Sequence, residues 1–91
     1  MNITILKAQL QYSEEDKGYA GFVHFEVEGH KVPYELTLLS KKKRDDDWMY
    51  SLNFLTGHGS EEHIHAVEEQ LEENDDLFDS LIDAAKAALE G

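Results

Sequence analysis

Cysteine is absent from this chain of 91 residues, and proline and tryptophan each occur once. Without cysteine the chain has no disulfide framework, no thiolate nucleophile and no cysteine-ligated zinc site. That composition is compatible with a reducing compartment. Long apolar runs are missing too: no stretch approaches the ~20 consecutive apolar residues that span a bilayer. The opening MNITILKAQLQ has no basic start followed by an apolar segment, so no signal peptide is expected and a cytoplasmic location is the default. Positive charge is scarce toward the C-terminus. Residues 60–91 hold eleven acids and one base, Lys86, whereas residues 1–59 hold nine acids and seven bases. Most of the net charge of −12 therefore lies in the last third. Such a surface disfavours nucleic acid and anionic lipid as direct partners. It leaves two readings, a solvated helix face or a surface that meets a basic protein.

Apolar residues make up 41% of the chain, enough for one modest core in one domain. Their periodicity divides the chain into a β half, 1–56, and a helical half, 60–90. The first strand is expected over Asn2–Tyr12, with Leu6, Ala8, Leu10 and Tyr12 inward and Ile3 and Ile5 on the opposite, polar face. SEEDKG, residues 13–18, reads as a polar turn. Two alternating runs then flank Gly29-His30, which suits a two-residue type II′ hairpin turn with glycine first. That turn sets Glu28 against Lys31, Val27 against Val32, Phe25 against Tyr34 and Val23 against Leu36. It also places His24 across from Glu35 as an opposite-charge pair. Pro33 has no N–H for the ladder, so an open edge or a bulge is expected there. SKKKRDDD, residues 40–47, reads as an exposed loop whose four bases and three acids nearly cancel. From Trp48 to Thr56 the chain alternates again, with Trp48, Tyr50, Leu52 and Phe54 inward.

After Ser60 the period becomes helical. Ile64, Leu71, Phe78 and Ala85 form one heptad-spaced series, and Val67, Asn74, Leu81 and Ala88 a second. A single helix from Ser60 to Glu90 would run ~46 Å, against strands of about 30 Å. A break near Asn74–Asp76 removes the overhang, because Asn and Asp favour caps over helix interiors. The alternative is one long helix whose protruding end pairs with a second chain. The expected fold is α+β: a four-stranded antiparallel meander with this C-terminal helix, broken near Asn74–Asp76, packed on one face.

GHGSEEHIHAVEEQL, residues 57–71, holds three of the five histidines. On a helix His63 and His65 point about 200° apart, so they cannot share a metal ion. A helix start explains the segment instead: Ser60 as N-cap, Glu61 and Glu62 complementing the dipole, and His65 among carboxylates. No metal or other cofactor is expected. There is no phosphate-binding glycine loop, no G-x-S-x-G and no other diagnostic catalytic motif, so no catalytic residues are expected.

The outward face carries the functional expectation. Ile3, Ile5, Phe22, Leu39, Met49 and Leu55 fall opposite the assigned core, where a one-sided antiparallel sheet usually shows polar residues. Six apolar side chains there point to a patch that binds another protein or a second copy of the chain. A homodimer is therefore the leading expectation, with nucleic acid and membrane excluded as partners. The alternatives are an acidic mimic of nucleic acid that binds a basic protein, and a metal-dependent or small-molecule enzyme using His58, His63 or His24.

Overall fold

The computed structural model describes residues 2–14, 18–40 and 48–90. The expected loop over 40–47 lies, apart from Ser40, outside the described residues, as do residues 15–17 of the SEEDKG turn. The chain forms β1 (Ile3–Ser13), β2 (Gly18–Val27), β3 (Tyr34–Ser40) and β4 (Met49–Phe54), then α1 (Glu61–Glu73) and α2 (Asp75–Glu90). The strands pair antiparallel in the order β1-β2-β3-β4, and both helices pack on one face of the sheet. This is the α+β meander expected from the periodicity.

The core lies between sheet and helices. Val23, Phe25, Tyr34, Leu36 and Leu38 are buried from the two central strands, Leu52 from β4, and Val67, Leu71, Leu77, Leu81, Ile82 and Ala85 from the helices. Trp48, Tyr50 and Phe54 pack against this cluster from the inward side of β4, as their alternation requires. Gly21 stands opposite Leu10 and Leu38 in this sheet. A Cβ there would run into the Gln9 carbonyl and come within 2.8 Å of the Leu10 Cα. Only glycine lets β1 approach β2 this closely.

The first strand departs from simple alternation. Its pairing with β2 shifts by one residue between Ile5 and Lys7, a β-bulge that leaves Leu6 without a partner. Leu6, expected inward, is consequently exposed. On the N-terminal side of the bulge the faces exchange: Ile3 stands opposite Val27 and Ile5 opposite Phe25, both core residues. Ile3 therefore packs against the core, whereas Ile5, opposite Phe25 on the edge strand, stays 39% exposed. The sequence places both on the outer face because it reads one unbroken period of two through an extra residue. Tyr12, also expected inward, is 51% exposed and contacts Tyr19 edge to face at 5.2 Å, beyond the reach of the buried cluster.

The β2–β3 hairpin has the expected register: Phe25 faces Tyr34, His24 faces Glu35 and Val23 faces Leu36. The turn itself differs. The His30 N–H donates to the Val27 carbonyl at 3.0 Å, closing a four-residue turn with Gly29 third, at φ +87°. Positive φ at the third position is the type II requirement, rather than the type II′ geometry with glycine second. The ladder with β3 accordingly stops at Phe25–Tyr34, and Val27 pairs with Ile3 of β1. Pro33 sits in the connection, outside the ladder, and its carbonyl accepts the Leu55 N–H.

The helical half is broken where the capping residues predict. Ser60 caps α1, its Oγ accepting the His63 N–H at 3.3 Å. Asn74 ends α1 and begins α2. Its N–H donates to the Gln70 carbonyl at 2.8 Å, and its Oδ1 accepts the Leu77 N–H at 3.3 Å. The single long helix is thus excluded. Both heptad series reach the core on either side of the break: Val67, Leu71, Leu81 and Ala85 are buried, and Ile64 and Phe78 pack against them; Asn74 and Ala88 are exposed, and Leu77 and Ile82, outside both series, are buried as well. Each helix sets its own apolar stripe once the chain is bent.

Candidate functional site

The register assigns each paired side chain to one of two faces. No described element packs against the face opposite the helices. Across that open face one row runs Gln11, Ala20, Leu39, Met49. The next runs Gln9, Phe22, Thr37, Ser51, and the third Lys7, His24, Glu35, Asn53.

Leu39 and Met49 stand directly opposite each other on β3 and β4 and are 45% and 59% exposed. At the close spacing of a cross-strand pair their side chains form one continuous apolar spot, extended by Ala20 in the same row. Phe22 is half-buried by its neighbours. Its ring stacks on His24 at 4.5 Å, and the Lys7 Nζ lies 5.8 Å from its centroid. His24 Nε2 and Glu35 Oε2 are 2.9 Å apart, the cross-strand pair expected from the register. Leu55, half-buried, follows β4 at the other end, separated from Met49 by the polar Ser51 and Asn53. The six expected surface residues therefore do not form one patch. Leu39 and Met49 are its exposed core, Phe22 borders it, Leu55 is remote, and Ile3 and Ile5 belong to the other side. Ala20 escapes notice in the sequence because a small residue carries little apolar signal.

The histidines fall into separate environments. His24 is on the open face. His65 pairs with Glu69 at 3.2 Å on the exposed side of α1, and His58 with Glu61 at 3.5 Å. His63 stacks on His30 of the hairpin turn, with ring centroids 4.3 Å apart and planes at 18°. His30 Nδ1 in turn lies 2.7 Å from the hydroxyl of the fully buried Tyr34. Burial, then the neighbouring His63, holds the His30 pKa below its ordinary value, and burial raises that of Tyr34. Nothing in local sequence links His30 to His63, which lie in different elements. Parallel rings aim their nitrogens side by side instead of toward a common point, so this pair does not make a shared metal site. Among the described residues no group of three or more His, Asp or Glu is placed to hold a metal ion.

The helical side presents the acids. Glu61, Glu62, Glu68, Glu69, Glu72 and Glu73 of α1 and Asp75, Asp76, Asp79 and Asp83 of α2 belong to a surface with Lys86 as its base. A groove of about 360 Å³ runs beside α2, lined by Trp48, Phe78 and Ile82 with Asp75, Asp79, Asp83 and Lys86. Its chemistry, an aromatic and aliphatic floor with a carboxylate rim, matches a cationic side chain. No helix among the described residues is long and apolar enough to cross a membrane.

Fold and surface together define a small α+β protein with one sheet face covered by acidic helices and the other open. Comparison with known protein families, curated proteins and solved structures finds no match to this chain.

Proposed function

We propose that this protein is a small binding module that pairs with a second copy of itself through the open face of its sheet. The observation that carries the reading is the exposed Leu39–Met49 pair on that face. The distribution of charge supports the same orientation. On the open face Lys7 offsets one of the two carboxylates, Glu26 and Glu35, whereas the helical side is strongly acidic. Two copies approaching helix to helix meet like-charge repulsion, and two approaching sheet to sheet keep the acids at the far surfaces.

Sedimentation equilibrium or light scattering tests this. A dimer is expected in the wild type, and Met49→Glu or Leu39→Glu is expected to return it to monomer without loss of the far-ultraviolet circular dichroism spectrum. Added salt strengthens the dimer or leaves it unchanged, because the contact is apolar and the remaining long-range repulsion is screened over about 10 Å at 0.1 M. A wild-type monomer at the highest soluble concentration removes the reading.

The α2 groove favours a second reading, in which a basic protein docks on Trp48 and the aspartates. Asp75, Asp79 and Asp83 follow one another at ~6 Å of helix rise, an acidic row of the kind a nucleic-acid mimic presents. Binding to a lysine-rich peptide that fades steeply with salt and is lost in Asp79→Asn/Asp83→Asn supports it. Salt-insensitive binding excludes it.

A further inference from the structure

We propose that the stacked His30–His63 pair is a proton-operated clasp between the β2–β3 hairpin and the start of α1, closed while both rings are neutral and opened by protonation. The hydroxyl of Tyr34 makes it sensitive to a first proton. A neutral His30 carrying its hydrogen on Nε2 accepts the Tyr34 O–H at Nδ1, across 2.7 Å. Tyr34 has no exposed surface, and among the described residues its hydroxyl has no other hydrogen-bond partner. An imidazolium has N–H at both nitrogens. Nδ1 then becomes a donor, and the phenol must turn its own proton away without a partner, which is costly when buried. The stack makes the clasp sensitive to a second proton. Two imidazolium rings 4.3 Å apart repel, while two neutral rings, or one of each, pack.

Beside the stack the same two parts also meet through close backbone packing. Gly59, just before the Ser60 cap, lies so close to Val32 of the hairpin and Phe54 of β4 that a Cβ would strike both. Ser60 in turn caps the backbone N–H of His63, so the stacked ring is carried by the residue whose amide the cap holds. The titratable and charged groups around His30 are His63 from α1 and Tyr34 from β3. The hairpin adds Glu28, whose carboxylate accepts from Asn2 at 2.8 Å, and the exposed Lys31. From the loop and first turn come His58, paired with Glu61, and the exposed Glu62. None of these carboxylates is paired with His30 or His63 to hold an imidazolium in place.

The direction follows from proton linkage. His30 in the closed state titrates below 6.5, so that state binds fewer protons than the open one. Closure is complete above that value and is lost as pH falls below it.

The test uses the full chain. Nuclear magnetic resonance follows the ring protons of His30 and His63 from about pH 8 to about pH 5, and amide exchange is measured over the same range. His30 is expected to titrate below the ordinary histidine value. Exchange protection in 28–32 and 61–64, corrected for intrinsic rates, is expected to fall by about tenfold per unit of His30 depression, while that of the central strands holds. Titration of His30 at or above 6.5, or unchanged protection in both segments, overturns the clasp. His63→Phe keeps a flat ring without a second charge and is expected to move opening to lower pH; an unmoved midpoint also overturns it. Tyr34→Phe is expected to bring the His30 titration back toward its ordinary value, and no change there removes the phenol from the mechanism.

Discussion

Replacing Asn74 with alanine removes one side-chain hydrogen bond and offers the chain a choice. The lost bond is Oδ1 to the Leu77 N–H, the N-cap of α2. Asn-to-Ala at an N-cap costs about 0.5–2 kcal/mol, and the 3.3 Å length places this one toward the lower half of that range. The backbone bond from Asn74 N–H to Gln70 remains, and alanine tolerates φ −114° and ψ 94°. The choice is whether alanine, the best helix former, fuses α1 and α2 into one rod. Fusion recovers a few backbone hydrogen bonds, each worth about 0.5–1.5 kcal/mol net. It also rotates α2 away from its stripe, exposing Leu77 and Ile82 along with Leu81 and Ala85. Each large aliphatic side chain moved to water costs about 1.5–3 kcal/mol, so the bent form wins. The expected outcome is unchanged helix content, a loss of about 1 kcal/mol and a melting temperature lowered by about 4–8 °C. Urea and thermal denaturation followed by circular dichroism measure both quantities. Asn74→Asp retains the cap and serves as the control. A more stable Asn74→Ala variant with increased helicity would show that capping, and not burial, holds the bend, and the reasoning would fail.

Gly21→Ala is expected to destabilise by about 1–3 kcal/mol, because the new methyl meets the backbone of β1 at Gln9 and Leu10, which cannot move aside as a side chain can. Denaturant midpoints read it, and a neutral substitution would mean that β1 is not held as closely as described. The protein is also expected to lose stability in alkali. Burial raises the pKa of Tyr34, and burial followed by Glu72 and Glu68 raises that of Tyr50. Both phenols therefore stabilise the fold fully below pH 10.0 and lose that contribution as pH climbs from there through their folded-state values. Tyrosinate absorbance alongside a denaturation series checks this, and two tyrosines titrating at the ordinary value would contradict it. At the open face, Met49→Glu is expected to abolish self-association while changing the stability of the monomer, compared at concentrations too low for pairing, by no more than about 0.5 kcal/mol, as befits an exposed site.

Much of this architecture is legible in the chain. Period-two alternation marks the strands, and the change of period after Ser60 marks the helices. Ser60 and Asn74 announce their caps through side-chain chemistry that acts within three residues. The hairpin register follows from matching apolar faces, and it survives even though the turn is type II. Where structure and local pattern differ, the cause is non-local. One extra residue in β1 is invisible to a periodicity count, because the bulge is defined by what β2 places opposite it. That single shift took Ile3 and Ile5 off the outer face and pushed Leu6 out of the core.

Sequence alone therefore determined what depends on neighbours along the chain: strand and helix extents, the break at Asn74, and the concentration of acid in the last third. Tertiary structure decided what depends on neighbours across space. It reduced six apolar residues to an exposed pair, Leu39 and Met49, and it stacked His30 on His63 over a buried phenol. The physical reason is range. Backbone propensity and capping act within a turn or two, whereas a surface patch or a stacked pair exists only after folding has fixed which distant residues meet and which remain in water.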